Sequence, residues 1–227
     1  PAGYHPGMSG VAVFDINETT LDLEPVRSAV DTHLADRGGS RVWFQRLLQL
    51  SMTMTATGRF HDFGTLAASA FRAVADIEPE GDEVEGWDDV TRAMGALAAH
   101  PDVPEGLETL RAAGWTLIAL TNSAQASVEA QLAGAGLAPL FDHVLSVDAV
   151  RAYKPAAEPY LMATATAGAE PADAWMVACH DWDLAGARAV GMATAFVRRP
   201  GMSYADCYDP PDLTVGDFGA LAAALTA

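Results

Sequence analysis

Val11-Ala12-Val13-Phe14-Asp15-Ile16-Asn17-Glu18-Thr19-Thr20-Leu21-Asp22 decides how the rest of the chain is read. Val11 to Phe14 is a short apolar run, and a polar turn, Asn17-Glu18-Thr19-Thr20, follows Asp15. That pattern predicts a buried strand with a carboxylate at its C-terminal end. The same arrangement returns at Trp115 to Leu120, His143 to Val147, Ala174 to Ala178 and Met192 to Val197, which predicts five strands. Helix-length segments separate them at Glu105 to Ala113, Ala124 to Ala135, Ala157 to Ala167 and Asp183 to Val190, with Gly114, Gly136, Gly168 and Gly191 where C-terminal caps belong. Strand followed by helix, repeated, predicts an α/β fold with a Rossmann-like parallel sheet covered on both faces. Ligands on such sheets bind beyond the carboxyl ends of the strands, where the turns after Asp15, Leu120 and Ala178 converge.

Between Leu23 and about His100 the alternation stops. Trp43, Leu47, Leu50 and Met54 fall on one helical stripe, and Phe44 and Leu48 widen it. Further helices are predicted at Thr65 to Ala75 and Val90 to Ala98, with Glu78 to Asp89 as an acidic, solvated connection. The organisation expected is a catalytic core of residues 1–22 and 100–227 carrying an inserted helical cap of residues 23–99.

Composition restricts the partners. The chain has 227 residues, with 13 Lys and Arg against 30 Asp and Glu, a formal charge of −17. Such a charge repels nucleic acid and anionic membrane surfaces, so neither is an expected partner. No apolar run approaches the roughly 18 residues of a membrane span, and the start of the chain lacks a signal-peptide layout. The two cysteines, Cys179 and Cys207, form no spaced metal cluster and no disulfide framework, which fits a cytoplasmic location. An anionic substrate would need a locally positive site or one built from backbone N–H groups. The apolar cap surface fits a homodimer and buried cap packing equally.

Four strand ends present, in chain order, FDINETTLD around Asp15, LTNS around Thr121 and Asn122, YKP around Lys154, and HDWDLAGA from His180. In this order and at these positions the chain resembles the haloacid dehalogenase superfamily and, within it, the type II (S)-2-haloacid dehalogenases. The resemblance covers nearly the whole chain. It implies that Asp15 is a covalent nucleophile acting on a small anionic organic substrate, and that water releases a 2-hydroxy acid from an aspartyl ester. By the same resemblance Thr19 holds the second oxygen of Asp15, Thr121 and Asn122 donate to substrate or ester, and Lys154 keeps Asp15 ionised. Asp183 orients Lys154 or the hydrolytic water. Each has a plainer reading: Thr121-Asn122-Ser123 as a helix cap, Lys154 as a surface lysine, Asp183 as an N-cap. Phe63, Tyr160, Trp182 and Gln45 match pocket positions, with core packing as the alternative.

Phosphatases of the superfamily carry a general acid two residues after the nucleophile, where this chain has Asn17. A halide leaves without a proton and an alkoxide does not, so Asn17 points away from phosphoryl transfer. Those phosphatases also bind Mg²⁺ through acids at the fourth strand, where Cys179 replaces the first. No cofactor is expected; Mg²⁺ belongs only to a phosphatase reading. A non-catalytic binding protein on the same fold is the third alternative. Two departures from the dehalogenase pattern stand out. Phe44 occupies the place of an arginine on the first long cap helix, with Arg41 about 60° away around that helix. A serine and an asparagine at the fourth strand become Ala178 and His180, the histidine serving as a donor or filling the asparagine's space.

Overall fold

The computed structural model describes residues 10–77 and 85–227. Its sheet has six parallel strands, β1 (Val11–Asp15), β2 (Thr116–Thr121), β3 (His143–Ser146), β4 (Ala174–Ala178), β5 (Ala193–Val197) and β6 (Leu213–Val215), in the order β3-β2-β1-β4-β5-β6. From β1 the chain builds outward through β2 to β3, then returns to place β4 on the other side of β1. The strand order therefore reverses between β1 and β4, and the crevice above that point is where a doubly wound sheet binds ligands.

Every residue of β1 is buried, because helices cover both sheet faces. Ala12 and Phe14 pack toward α5 (Val103–Ala112), α6 (Gln125–Gly134) and α9 (Phe218–Thr226). Val11 and Val13 pack toward α7 (Ala157–Thr166) and α8 (Asp181–Ala189). An apolar run rather than an alternating one is the sequence mark of such a strand. Gly114 and Gly191, two of the predicted caps, have φ of 83° and 95°, the left-handed backbone a helix end needs.

Inserted between β1 and α5 are α1 (Glu24–Leu34), α2 (Gly39–Ala56), α3 (Phe63–Ala75) and α4 (Trp87–Met94). The long helix buries Trp43, Leu47 and Ser51 along one face, and the Trp43 indole donates to the Ala67 carbonyl at 3.0 Å. Leu50 and Met54 are half-buried against the same core. Tyr153 fastens these helices to the core: its N–H donates to Thr55 Oγ1 at 2.9 Å and its hydroxyl to the His61 carbonyl.

The structure corrects the expected elements in several places. The strand β6 and the helices α1 and α9 were not anticipated. The third cap helix ends at Met94, not Ala98, because Gly95 closes it with N–H bonds to Thr91 and Arg92. Of the acidic connection expected over Glu78 to Asp89, residues 78–84 lie outside the described residues, and Trp87 to Asp89 form the first turn of α4. Among the described residues no helix is long and apolar enough to cross a membrane.

Candidate active site

The turn after β1 is held by its own side chains. Thr20 Oγ1 donates to the Asp15 carbonyl at 2.7 Å, and Leu21 N donates to the Ile16 carbonyl at 2.8 Å. Arg199, ion-paired to Asp102 at 2.8 Å, donates through Nη2 to the Thr19 carbonyl at 2.8 Å. These bonds aim Asp15 and Thr19 into the crevice between β1 and β4. Thr19 Oγ1 donates to Asp15 Oδ2 at 2.7 Å while accepting from Cys179 N at 2.9 Å, so it locks the first strand end to the fourth.

Lys154 lies at the centre of the cluster. It is 1 % exposed, and its ammonium donates to Asp15 Oδ1 at 2.7 Å, Asp183 Oδ2 at 2.7 Å and the Leu120 carbonyl at 3.2 Å. The three acceptors satisfy its three protons, which is the condition for burying an ammonium. Burial would depress the Lys154 pKa, but the two carboxylates outweigh it and leave the amine raised. Burial likewise works to raise Asp15, yet the Lys154 charge and the His180 hydrogen bond hold its carboxyl well below the usual range. Asp15 is therefore an ionised carboxylate shielded from water. Asp183 moves the other way, raised by its complete burial against the opposing Lys154 charge, with the Asp15 charge adding to the rise. Tyr160 donates to Asp183 Oδ1 at 2.6 Å, and burial next to that carboxylate pushes the phenol well above its ordinary value.

Two further side chains belong to this cluster: His180, expected as a donor or as filler of an asparagine's space, and Glu18, which the sequence did not mark. His180 Nδ1 lies 3.2 Å from Asp15 Oδ2, and its Nε2 lies 2.7 Å from Glu18 Oε2. Glu18 in turn pairs with Arg27 of α1. Both ring nitrogens face carboxylate oxygens, so only the doubly protonated imidazolium gives each a donor. Burial opposes that charge, but Cys179 and Asp15 raise the His180 pKa to about 10. Glu18 has φ of 66°, a left-handed conformation that disfavours a residue with a side chain by roughly 1–2 kcal/mol. Its carboxylate contacts on both sides accompany that strain. For their contact the sequence offered an acid in the turn after Asp15 and a histidine in the fourth motif, 162 residues apart.

The remaining expected residues divide. Asn122 and Thr121 shape the loops: Asn122 Oδ1 accepts from Lys154 N at 3.0 Å, and Thr121 Oγ1 accepts from Ser123 N at 3.1 Å. The Asn17 amide donates to Ser123 Oγ at 3.0 Å. Phe44 and Trp182 flank the His180 ring, with centroids at 6.0 and 5.3 Å. Tyr160 is fully buried beneath Asp183 and so supports the site instead of lining a pocket. Phe63 lines a cavity of about 550 Å³ between the inserted helices and α6, together with Asn17, Phe44 and Ser123. Gln45 and Arg41 are exposed on α2 and are not among the cavity's lining residues, which overturns Gln45 as a pocket residue and Arg41 as a substitute cation. A helix turns them outward because Trp43, Leu47 and Ser51 take its buried face.

The Mg²⁺ of the superfamily's phosphatases does not fit the donors present. Both oxygens of Asp15 already accept from Lys154, Thr19 and His180, two of them cationic, and Cys179 offers sulfur where a hard cation needs oxygen. Among the described residues no group of three or more His, Cys, Asp or Glu is disposed to hold a metal.

An aspartate at the end of the first strand, a buried lysine between two carboxylates and a helical insertion after β1 together define a hydrolase class. Residues 10–191 match the haloacid dehalogenase-like hydrolase family, and the chain belongs to it. It is 32 % identical over 192 residues to (S)-2-haloacid dehalogenase 1 of Pseudomonas sp. (strain CBS-3), covering 82 % of this chain and 83 % of that one. It superposes on L-2-haloacid dehalogenase from Xanthobacter autotrophicus with a TM-score of 0.84 at 28 % identity, over 95 % of this chain and 98 % of the other. The form of that protein with chloropropionic acid covalently bound gives 0.83 at 27 % identity, over the same shares.

Proposed function

We propose that this chain is a hydrolytic dehalogenase that converts an (S)-2-haloacid to the 2-hydroxy acid. One Asp15 oxygen attacks the halogen-bearing carbon, the carbon–halogen bond breaks, and the halide leaves with the bonding electrons. Water then adds to the Asp15 carboxyl carbon, the carbon's alcohol departs, and the aspartate is restored with release of one proton. Thr19 and Lys154 hold the carboxylate in line for attack. Lys154 and Asp183, backed by Tyr160, orient the water and balance charge on the tetrahedral intermediate. Thr121 and Asn122 set the loops around the substrate, while Phe44, Phe63, Trp182 and His180 surround it.

The observation that carries this reading is the pairing of a desolvated Asp15 carboxylate with Lys154 at 2.7 Å, beside an Asn17 whose amide is bonded to Ser123. Such a site attacks well and has no carboxylic acid at position 17 to protonate an alkoxide, which suits a halide leaving group. The test is single-turnover reaction of excess enzyme with 2-bromopropionate in ¹⁸O-water. Label is expected in Asp15 before it reaches product, and Asp15→Asn is expected to release no bromide. Product labelled on the first turnover with Asp15 unlabelled rejects the covalent route.

A further inference from the structure

The cavity that opens from Asn17 and Phe44 is much larger than a three-carbon haloacid needs. Its volume of about 550 Å³ is several times the roughly 150 Å³ of an apolar protein cavity that accommodates benzene, and it falls in the range of drug-sized ligand sites. Trp43, Leu47, Phe63 and Ala67 wall it on the side of the inserted helices, and Ala130 and Gln131 on the side of α6. Among its described lining residues none is charged, and Phe44 stands where the dehalogenase pattern has arginine. At one end it reaches Asn17 and Phe44, and Phe44 stacks on the His180 that touches Asp15.

Two lining side chains carry a buried amide oxygen with no hydrogen-bond partner among the described residues, Asn17 Oδ1 and Gln131 Oε1. Gln131 is 8 % exposed, and its amide nitrogen is committed to the Met94 carbonyl at 2.8 Å. Lone carbonyl oxygens accept from N–H or O–H groups and repel a second carboxylate.

We propose that the preferred substrate is a 2-haloacid bearing a bulky, uncharged, largely apolar group of about six or more carbons in total, with the reacting carbon at Asp15 and the apolar body in this cavity. The assignment rests on the dehalogenase reading for its chemistry but on the cavity for its selectivity. Halide release is measured for 2-bromopropionate, 2-bromohexanoate, 2-bromo-3-phenylpropionate and 2-bromosuccinate. Burying one methylene contributes about 0.8 kcal/mol, or about fourfold in kcat/KM, so three extra methylenes predict about a 60-fold preference for the hexanoate. The phenyl compound should match or exceed it, and the dicarboxylate should be the poorest of the four.

Ala130→Trp, at an exposed wall position, is expected to erase most of the ratio between long and short substrates. Calorimetric titration with propionate and 3-phenylpropionate separates this inference from the reaction it is built on. Tighter binding of the phenyl acid with no halide release from any bromoacid would reject dehalogenation and leave the cavity's selectivity standing. Equal affinities, or a kcat/KM that is flat or falls with chain length, overturn the inference itself.

Discussion

Replacing His180 with asparagine, the residue of the dehalogenase pattern at that position, tests whether Asp15 is held by a second cation. Its ring is buried between Phe44 and Trp182, with a carboxylate oxygen facing each nitrogen at 3.2 and 2.7 Å. In the unfolded chain the group titrates near 6.5, and in the folded protein, where burial is overcome by Cys179 and Asp15, it titrates at about 10. A raised folded pKa means that the stabilisation is fully present below pH 6.5 and is lost as pH rises through 10. At about 1.4 kcal/mol per unit, the span between these values corresponds to a pH-dependent contribution on the order of 5 kcal/mol. Urea unfolding of wild type and His180→Asn at pH 6, 8 and 10.5 measures it as a difference, in which titrating groups that do not interact with His180 cancel. The wild-type advantage should be largest at pH 6, smaller at pH 8, and close to its floor at pH 10.5. A stability gap independent of pH would show that the imidazole is neutral and merely fills space, and the ionic account of Glu18 and Arg27 would fall with it.

Removing the Tyr160 hydroxyl with Tyr160→Phe leaves the buried Asp183 Oδ1 without its 2.6 Å donor; a loss of about 1–3 kcal/mol by chemical denaturation is expected, with ester hydrolysis slowed more than bromide release in stopped-flow traces. Gly186→Ala should be worse than an ordinary helix substitution, because a Cβ there would meet the Pro155 carbonyl at 2.6 Å and the Tyr160 hydroxyl at 2.7 Å. Moving α8 off the Lys154 loop is expected to lower kcat at least tenfold together with the melting temperature; unchanged kcat would mean that Asp183 and Lys154 are not positioned by this contact. Phe44→Arg, which restores the cation of the dehalogenase pattern, should bind small haloacids poorly while His180 is charged and better in the Phe44→Arg/His180→Asn double variant. Additive effects on KM across that double-mutant cycle would deny any coupling between the two positions.

How much of this was legible in the sequence depends on the range over which each feature is determined. Val11 to Phe14 announce a doubly covered strand because four consecutive apolar residues have no other economical fate in a βα repeat. Asp15, Thr19, Lys154 and Asp183 were legible through their motifs, and the fold brings all four within one hydrogen-bonded cluster. By contrast β6 has only three residues at the sheet edge, too few to show a period, although Asp217, which caps α9 by accepting from Ala220 N at 2.7 Å, was an available signal. Helix α1 was not read either, although Val26, Val30 and Leu34, one turn apart behind Pro25, were an available signal. Gln45 failed as a pocket residue because the orientation of α2 is fixed by Trp43 and Leu47 packing, which residue type alone does not reveal. The Glu18–His180 contact was invisible because nothing local ties a turn after β1 to the start of α8; only the parallel pairing of β1 with β4 does.

That pairing also sets where positive charge lies relative to position 44. The cap helix there presents a phenyl ring, and the positive charge sits instead at the end of β4, on an imidazole clamped by a glutamate from the turn after β1. A guanidinium on the cap would project its charge into the cavity, whereas His180 keeps it against Asp15 and leaves the cavity walls neutral. Charge is held on the core side and apolar surface on the cap side. On the proposed reading, selectivity for the body of the substrate and electrostatic control of Asp15 fall to different elements, and Phe44, which lines the cavity and stacks on His180, is the residue through which a change in either would be felt by the other.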